Sequence, residues 1–154
     1  MGPRSKPKGR KSSDSSRATL TLEQVRRRIR ATVAGKLFGF DAALLERGRA
    51  VITMRVKRKH IQIHGVVHGG ILAALADTAG ALAAYPMLPA GARLATVEMK
   101  INYLEPVVNG DLSGEGKVIR LGRNLVISEC DVTDHANRLV AKALMTFAIS
   151  SPAR

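Results

Sequence analysis

The sequence contains no tryptophan, and only 3% of its 154 residues are aromatic. Base-stacking platforms depend on such rings, so an aliphatic interior of Ala, Val, Leu, Ile and Met is expected instead. One cysteine, Cys130, excludes an internal disulfide. In "LVISECDV" it alternates with Val126 and Val132 on one face, the pattern of a small buried hydrophobe rather than a nucleophile. Acids are scarce, with 12 Asp+Glu against 25 Lys+Arg and a net charge of +13. That excess is uneven, because residues 1–30 hold ten Lys/Arg against Asp14 and Glu23, leaving the body only mildly basic. No apolar run of signal-peptide type follows the N-terminus, so a cytoplasmic protein is expected. The Ala-Leu stretch before Tyr85 is too short for a bilayer and carries Asp77 and Gly80, so no membrane span is expected.

What is present suffices for one domain, since 45% of the residues are apolar. "MGPRSKPKGRKSSDSSRAT" is Pro, Gly, Ser and Lys/Arg, which predicts a disordered basic tail over 1–18 and a folded domain over 19–151. Three readings of that tail stay open: a solvated extension, an arm attracting polyanions such as nucleic acid, or an address label.

In "TLTLEQVRRRIRATVAG", Thr21 and Gln24 form a capping box, and Leu22, Val25 and Ile29 form an apolar stripe. One amphipathic helix is expected, stopping at Gly35. "AVITMRV", 50–56, reads as a strand. A long Ala-rich helix follows from about Gly69 to Tyr85, ended by Pro86 and Pro89. Four extended segments come next, separated by "EPVVNGD", "LGRN" and "DHAN". In the last, Leu139, Ala141, Ala143, Met145, Phe147 and Ile149 alternate with more polar residues. Consecutive strands with short turns imply an antiparallel sheet, and a helix apolar all round must be covered. The expected fold class is α+β, a curved antiparallel sheet wrapped around that helix.

Asp77 is the residue that does not fit this apolar helix. "QIHGVVHGGILAALADTAGALA" resembles the hotdog-fold acyl-CoA thioesterases, specifically the PaaI-like branch named for phenylacetic acid degradation. That branch reads Asn, two residues, Gly, two residues, His-Gly-Gly, then Asp eight positions after the first glycine of the pair. Gly65, His68, Gly69, Gly70 and Asp77 stand at those positions. "TVEMKINYLEPVVNGD" and the segment from Arg120 to Phe147 also look like the family's strands and turns, so the resemblance covers about 35–150.

The resemblance implies a thioester hydrolase releasing a free acid and CoA, with an acyl-CoA substrate and no cofactor beyond the CoA within it. Asp77 is then the general base or nucleophile. A helix beginning near Gly69 would offer unpartnered backbone N–H groups at its positive end, a ready oxyanion site. Gly69 is the candidate donor; Gly70 allows close substrate approach, with tight packing of the helix against the sheet as its larger expected role. Gly70 and Asp77 share a helical face, but two turns separate them by roughly 10 Å. The family answers this with a homodimer in which the glycine end of one subunit faces the acid of the other, and many relatives pair such dimers into a homotetramer.

His68 either orients the turn or transfers a proton. Gln62 stands where the family has Asn, one methylene shorter. Thr96 matches a hydroxyl that orients water in some relatives, and strict alternation sets it on the face opposite Val97, Met99 and Ile101, with the face that meets the site left open. Arg120, Arg123 and Asn124, in "IRLGRN", match the loop bordering the coenzyme. His60, His64 and His68 are spaced for a metal helix, but the β-branched residues and glycine between them oppose one, and no metal is expected. The alternatives are an acyl-CoA sensor without catalysis, its basic tail attracting nucleic acid, and a dehydratase on the same fold.

Overall fold

The computed structural model describes residues 20–150. The basic tail, and the nucleic-acid reading that depends on it, lie outside the described residues.

The chain enters through α1 (Leu22–Ala31), whose capping box is formed as expected. Gly35 does not end it. Thr32 both closes α1 and caps a second short helix, α2 (Val33–Phe38). Gly35 lies inside α2, and the stop is Gly39, left-handed at φ 72°. Two strands follow: β1 (Phe40–Glu46) and β2 (Arg49–Arg55). After a 3-10 turn, Arg58–His60, comes the long helix α3 (Gly69–Ala84). β3 (Arg93–Tyr103), β4 (Asp111–Leu121), β5 (Leu125–Asp134) and β6 (Leu139–Ser150) complete the chain.

The six strands form one sheet in the order β1-β2-β4-β5-β6-β3, with every pairing antiparallel. The class is α+β and the architecture is the hotdog one, a sheet around a central helix. α3 lies mainly against β2, β4 and β5. The buried residues Leu72, Leu75, Ala76, Ala79 and Ala83 follow the helical repeat that faces the sheet. Contact is close enough that a Cβ on Gly116 would strike the Ala79 carbonyl. Opposite α3, the buried row Val126, Cys130, Val132, Ala141, Ala143, Met145 and Phe147 fills the core. Cys130 behaves as an inert hydrophobe, and burial pushes its thiol up to about 12.

With the 3-10 turn Tyr85–Met87, the helical run Gly69–Met87 reaches 19 residues and is apolar enough to cross a bilayer by length and composition. It was expected to be too short; its packing against the sheet marks it as the core helix.

Two bulges change which side chains face inward. Between β5 and β6, Val132 pairs with Ala141 but Thr133 with Leu139, so Leu139 leaves the inward row. In β3 the register slips between Thr96 and Glu98, leaving Val97 extra and 60% exposed. Thr96 pairs with Phe147 and Met99 with Met145, both inward-facing, so Thr96 shares a face with Met99 and Ile101. Strict alternation would have turned Thr96 the other way. A bulge adds one residue and so reverses the faces beyond it.

Candidate active site

α3 begins at Gly69, and His68 is its N-cap. The His68 Nδ1 accepts the Gly70 N–H at 2.9 Å, and the His68 carbonyl accepts the Ile71 N–H at 2.9 Å. Among the described residues, the Gly69 N–H has no hydrogen-bond partner. It sits at the positive end of a 16-residue helix, where an anion is favoured. Gly70 is exposed, so its bare Cα does not serve helix–sheet packing. A Cβ there would come within 3.0 Å of the His68 Nδ1, so its glycine admits the capping ring.

A cleft of about 370 Å³ opens beside Gly69, lined among others by Gln62, Leu72, Tyr103 and Val107. Gln62 is placed there by the turn Gln62–Gly65, in which the Gly65 N–H bonds the Gln62 carbonyl at 3.0 Å. Gly65 is left-handed at φ 78°, a conformation that favours glycine. The Tyr103 ring covers Gly69 so closely that a Cβ on Gly69 would stand 3.0 Å from Cζ. Sequence reasoning missed Tyr103. Its only signal was an aromatic side chain at the end of a strand in a chain with two tyrosines.

Asp77 is elsewhere. It is half-buried two turns along α3, roughly 12 Å of helix rise from Gly69, and it does not line that cleft. Its partner is Thr96, whose Oγ1 donates to Asp77 Oδ1 at 2.9 Å. No Lys, Arg or His among the described residues forms an ion pair with Asp77. The absence of a cation beside this half-buried acid distinguishes it from the architectural carboxylates. Asp134, for comparison, is tied to Arg138 at 2.7 Å.

One chain therefore brings Gln62, His68, Gly69 and Gly70 together at one point, and Asp77 with Thr96 at another. A third group, Arg120, Arg123 and Asn124, lines a depression of about 440 Å³ at the β4–β5 turn with Leu125 and Ile127. No described cluster of His, Cys, Asp and Glu could hold a metal ion. His60 is buried, His64 is exposed and His68 caps a helix, so the three do not converge.

Residues 64–141 match the family model described as the Thioesterase superfamily. A Saccharolobus solfataricus protein provisionally named an esterase is 40% identical over 100 residues, 65% of this chain and 71% of its own. A 1,4-dihydroxy-2-naphthoyl-CoA hydrolase of Listeria monocytogenes is 25% identical over 111 residues, 72% of this chain and 90% of its own. Among solved structures, a thioesterase from Haemophilus influenzae superposes with a TM-score of 0.83 at 28% identity, covering 90% and 96% of the two chains. The phenylacetic acid degradation protein PaaI of Thermus thermophilus, in a mutant form, gives 0.67 at 27% identity, covering 73% and 95%.

Proposed function

The chain belongs to the thioesterase superfamily, with PaaI-like neighbours, and on that premise we propose that it hydrolyses acyl-CoA thioesters at a site shared by two copies of itself. Thioester hydrolysis follows from the relatives; the acyl-CoA substrate, the residue roles and the dimer belong to this proposal. The observation that carries it is the Thr96–Asp77 hydrogen bond, which fixes an otherwise unpaired carboxylate on the face of α3 beside the free sheet edge.

β3 is that edge. Among the described residues its outer side has no strand partner, and a paired second copy would both cover it and bring another Gly69 within reach of Asp77. In the composite site, the thioester carbonyl oxygen accepts from the Gly69 N–H of one copy, assisted by the Gln62 amide. Asp77 of the other copy, steadied by Thr96, takes a proton from water as its oxygen bonds to the carbonyl carbon. The tetrahedral intermediate then collapses, the C–S bond breaks, and the thiolate of CoA takes up the proton. In the nucleophilic variant, the Asp77 carboxylate itself attacks and the anhydride is hydrolysed afterwards. His68 acts through Gly70, holding the helix end rather than carrying a proton.

Arg120 and Arg123 supply the charge for the coenzyme's phosphates, with Asn124 beside them. Release of free CoA from a panel of acyl-CoA esters tests the activity. Turnover by wild type and none by Asp77→Ala is the expected result, and equal rates from both proteins would reject the assignment.

A further inference from the structure

His60 has no part in the reaction above, yet it is only 2% exposed and leads directly into the catalytic loop. Its ring Nδ1 accepts the Lys57 N–H at 3.1 Å, closing the turn from the inside. The His60 N–H donates to the Lys57 carbonyl at 2.8 Å, and the Ile61 N–H to the Arg58 carbonyl at 3.1 Å. At the far end, the His60 carbonyl accepts the His68 N–H at 2.9 Å. His68 in turn caps Gly70, and its carbonyl holds Ile71. One hydrogen-bonded path thus runs from a buried imidazole to the two residues that flank Gly69.

We propose that His60 is a positioning residue: its neutral ring locks the Lys57–His60 turn, which holds the N-cap of α3 and so aims the Gly69 N–H at the substrate. A backbone N–H can only donate, so Nδ1 must be bare and the ring hydrogen must lie on Nε2. Nε2 is buried without a hydrogen-bond partner among the described residues, and the Leu37 backbone of α2 is the group that would favour a proton on the ring. Protonating Nδ1 would set a ring N–H against the Lys57 N–H and break the lock. The charges facing the ring oppose protonation too. Lys57 and Lys59 lie in its own turn, and Lys59 Nζ reaches across to the Lys36 carbonyl on α2 at 3.3 Å. Burial, more than these cations, holds the imidazole below its ordinary value of 6.5. The loop is therefore locked at neutral pH and released on acidification.

This inference rests on the oxyanion role given to Gly69, and the test keeps the two apart. Two variants are compared: His60→Asn, whose Oδ1 can take the place of Nδ1 without titrating, and His60→Leu, which fills the space but cannot accept. Amide proton–nitrogen resonances of Lys57, His68 and Gly70 are followed between about pH 8 and 4.5, with kcat and KM on acyl-CoA esters. In wild type, the Lys57 and His68 amides should titrate together with the His60 ring. In His60→Asn the component that follows the His60 ring should vanish from both amides. His60→Leu should lose about tenfold in kcat with little change in KM, and His60→Asn should keep most of kcat. A His68 amide that ignores the His60 titration overturns the proposal, as does a folded His60→Leu with wild-type kcat. If His60→Leu fails to fold, the wild-type and His60→Asn titrations decide. If no ester is hydrolysed by wild type, the catalytic reading fails while the amide titration still decides whether His60 holds the loop.

Discussion

Thr96 Oγ1 donates to Asp77 Oδ1 at 2.9 Å, across the gap between a bulged edge strand and the central helix. A hydroxyl can donate to only one acceptor, so in this arrangement one carboxylate oxygen is occupied and the other is left for water. Removing the hydroxyl should cost less than removing the acid. Thr96→Val is expected to lower kcat by about tenfold, against about a hundredfold or more for Asp77→Asn. Steady-state kinetics on one ester checks the order; a larger loss at Thr96 would reverse the roles.

General base and nucleophile predict different fates for oxygen. A single turnover in heavy-oxygen water labels only the product acid if Asp77 activates water. If Asp77 attacks and water then opens the anhydride at the Asp77 carbonyl, the first turnover places a protein oxygen in the product and the label in the Asp77 side chain, visible by peptide mass. Opening at the acyl carbon labels only the product, so that a labelled Asp77 is the decisive result. The general-base reading, favoured by the Thr96 arrangement, predicts an unlabelled Asp77.

Gln62 lines the cleft beside Gly69 from a turn fixed by Gly65. Gln62→Asn keeps the amide and should preserve or raise activity, whereas Gln62→Ala should lose about a hundredfold in kcat. A large loss in Gln62→Asn would mean that the longer side chain is specifically required.

Arg120 and Arg123 sit apart from the reacting groups, at the β4–β5 turn. Their joint replacement by Ala should raise KM for CoA esters by about tenfold and leave kcat nearly unchanged. Added salt should weaken the wild type in the same way. A truncated thioester without the nucleotide should show neither effect, and equal losses on both substrates would remove these arginines from coenzyme binding.

Stability in acid has a separate source. The Asp134 carboxylate accepts the Arg138 and Ala136 N–H groups, each at 2.9 Å, and the Arg138 Nε at 2.8 Å. The Arg138 backbone N–H, first among these, holds it below its ordinary value of 3.8. Its folded value is depressed, so its contribution is fully present above that ordinary value and is lost as pH falls through the folded one. Asp134→Asn should melt earlier than wild type at neutral pH, and the difference in Tm should shrink below about pH 3.8. A constant difference would locate the effect in packing instead.

The sequence showed the parts with a strong local pattern and missed those set by register. α3 was legible because its glycine start, apolar run and prolines agree. β4 to β6 were legible from turn residues and alternation. β1 was not, because an extra residue between Ala42 and Leu44 breaks its alternation and leaves "AALL" looking like neither strand nor helix. The side on which Thr96 lies was misread for the same reason, since nothing in "LATVEMK" announces that Val97 is surplus. The glycines, Gln62, His68 and Asp77 could be read from one motif. Tyr103 and the ties of His60 depend on segments that meet only after folding.

The central claim is that Asp77 and Gly69 act together from different copies, and mixed oligomers test it directly. Asp77→Asn and Gly69→Val are each prepared as folded, inactive proteins, then dissociated together and reassembled at equal amounts. Random pairing makes half the dimers mixed, and each mixed dimer carries one intact composite site, so about a quarter of wild-type turnover should return. No recovery of activity, with mixed dimers demonstrated by mass, would contradict the account.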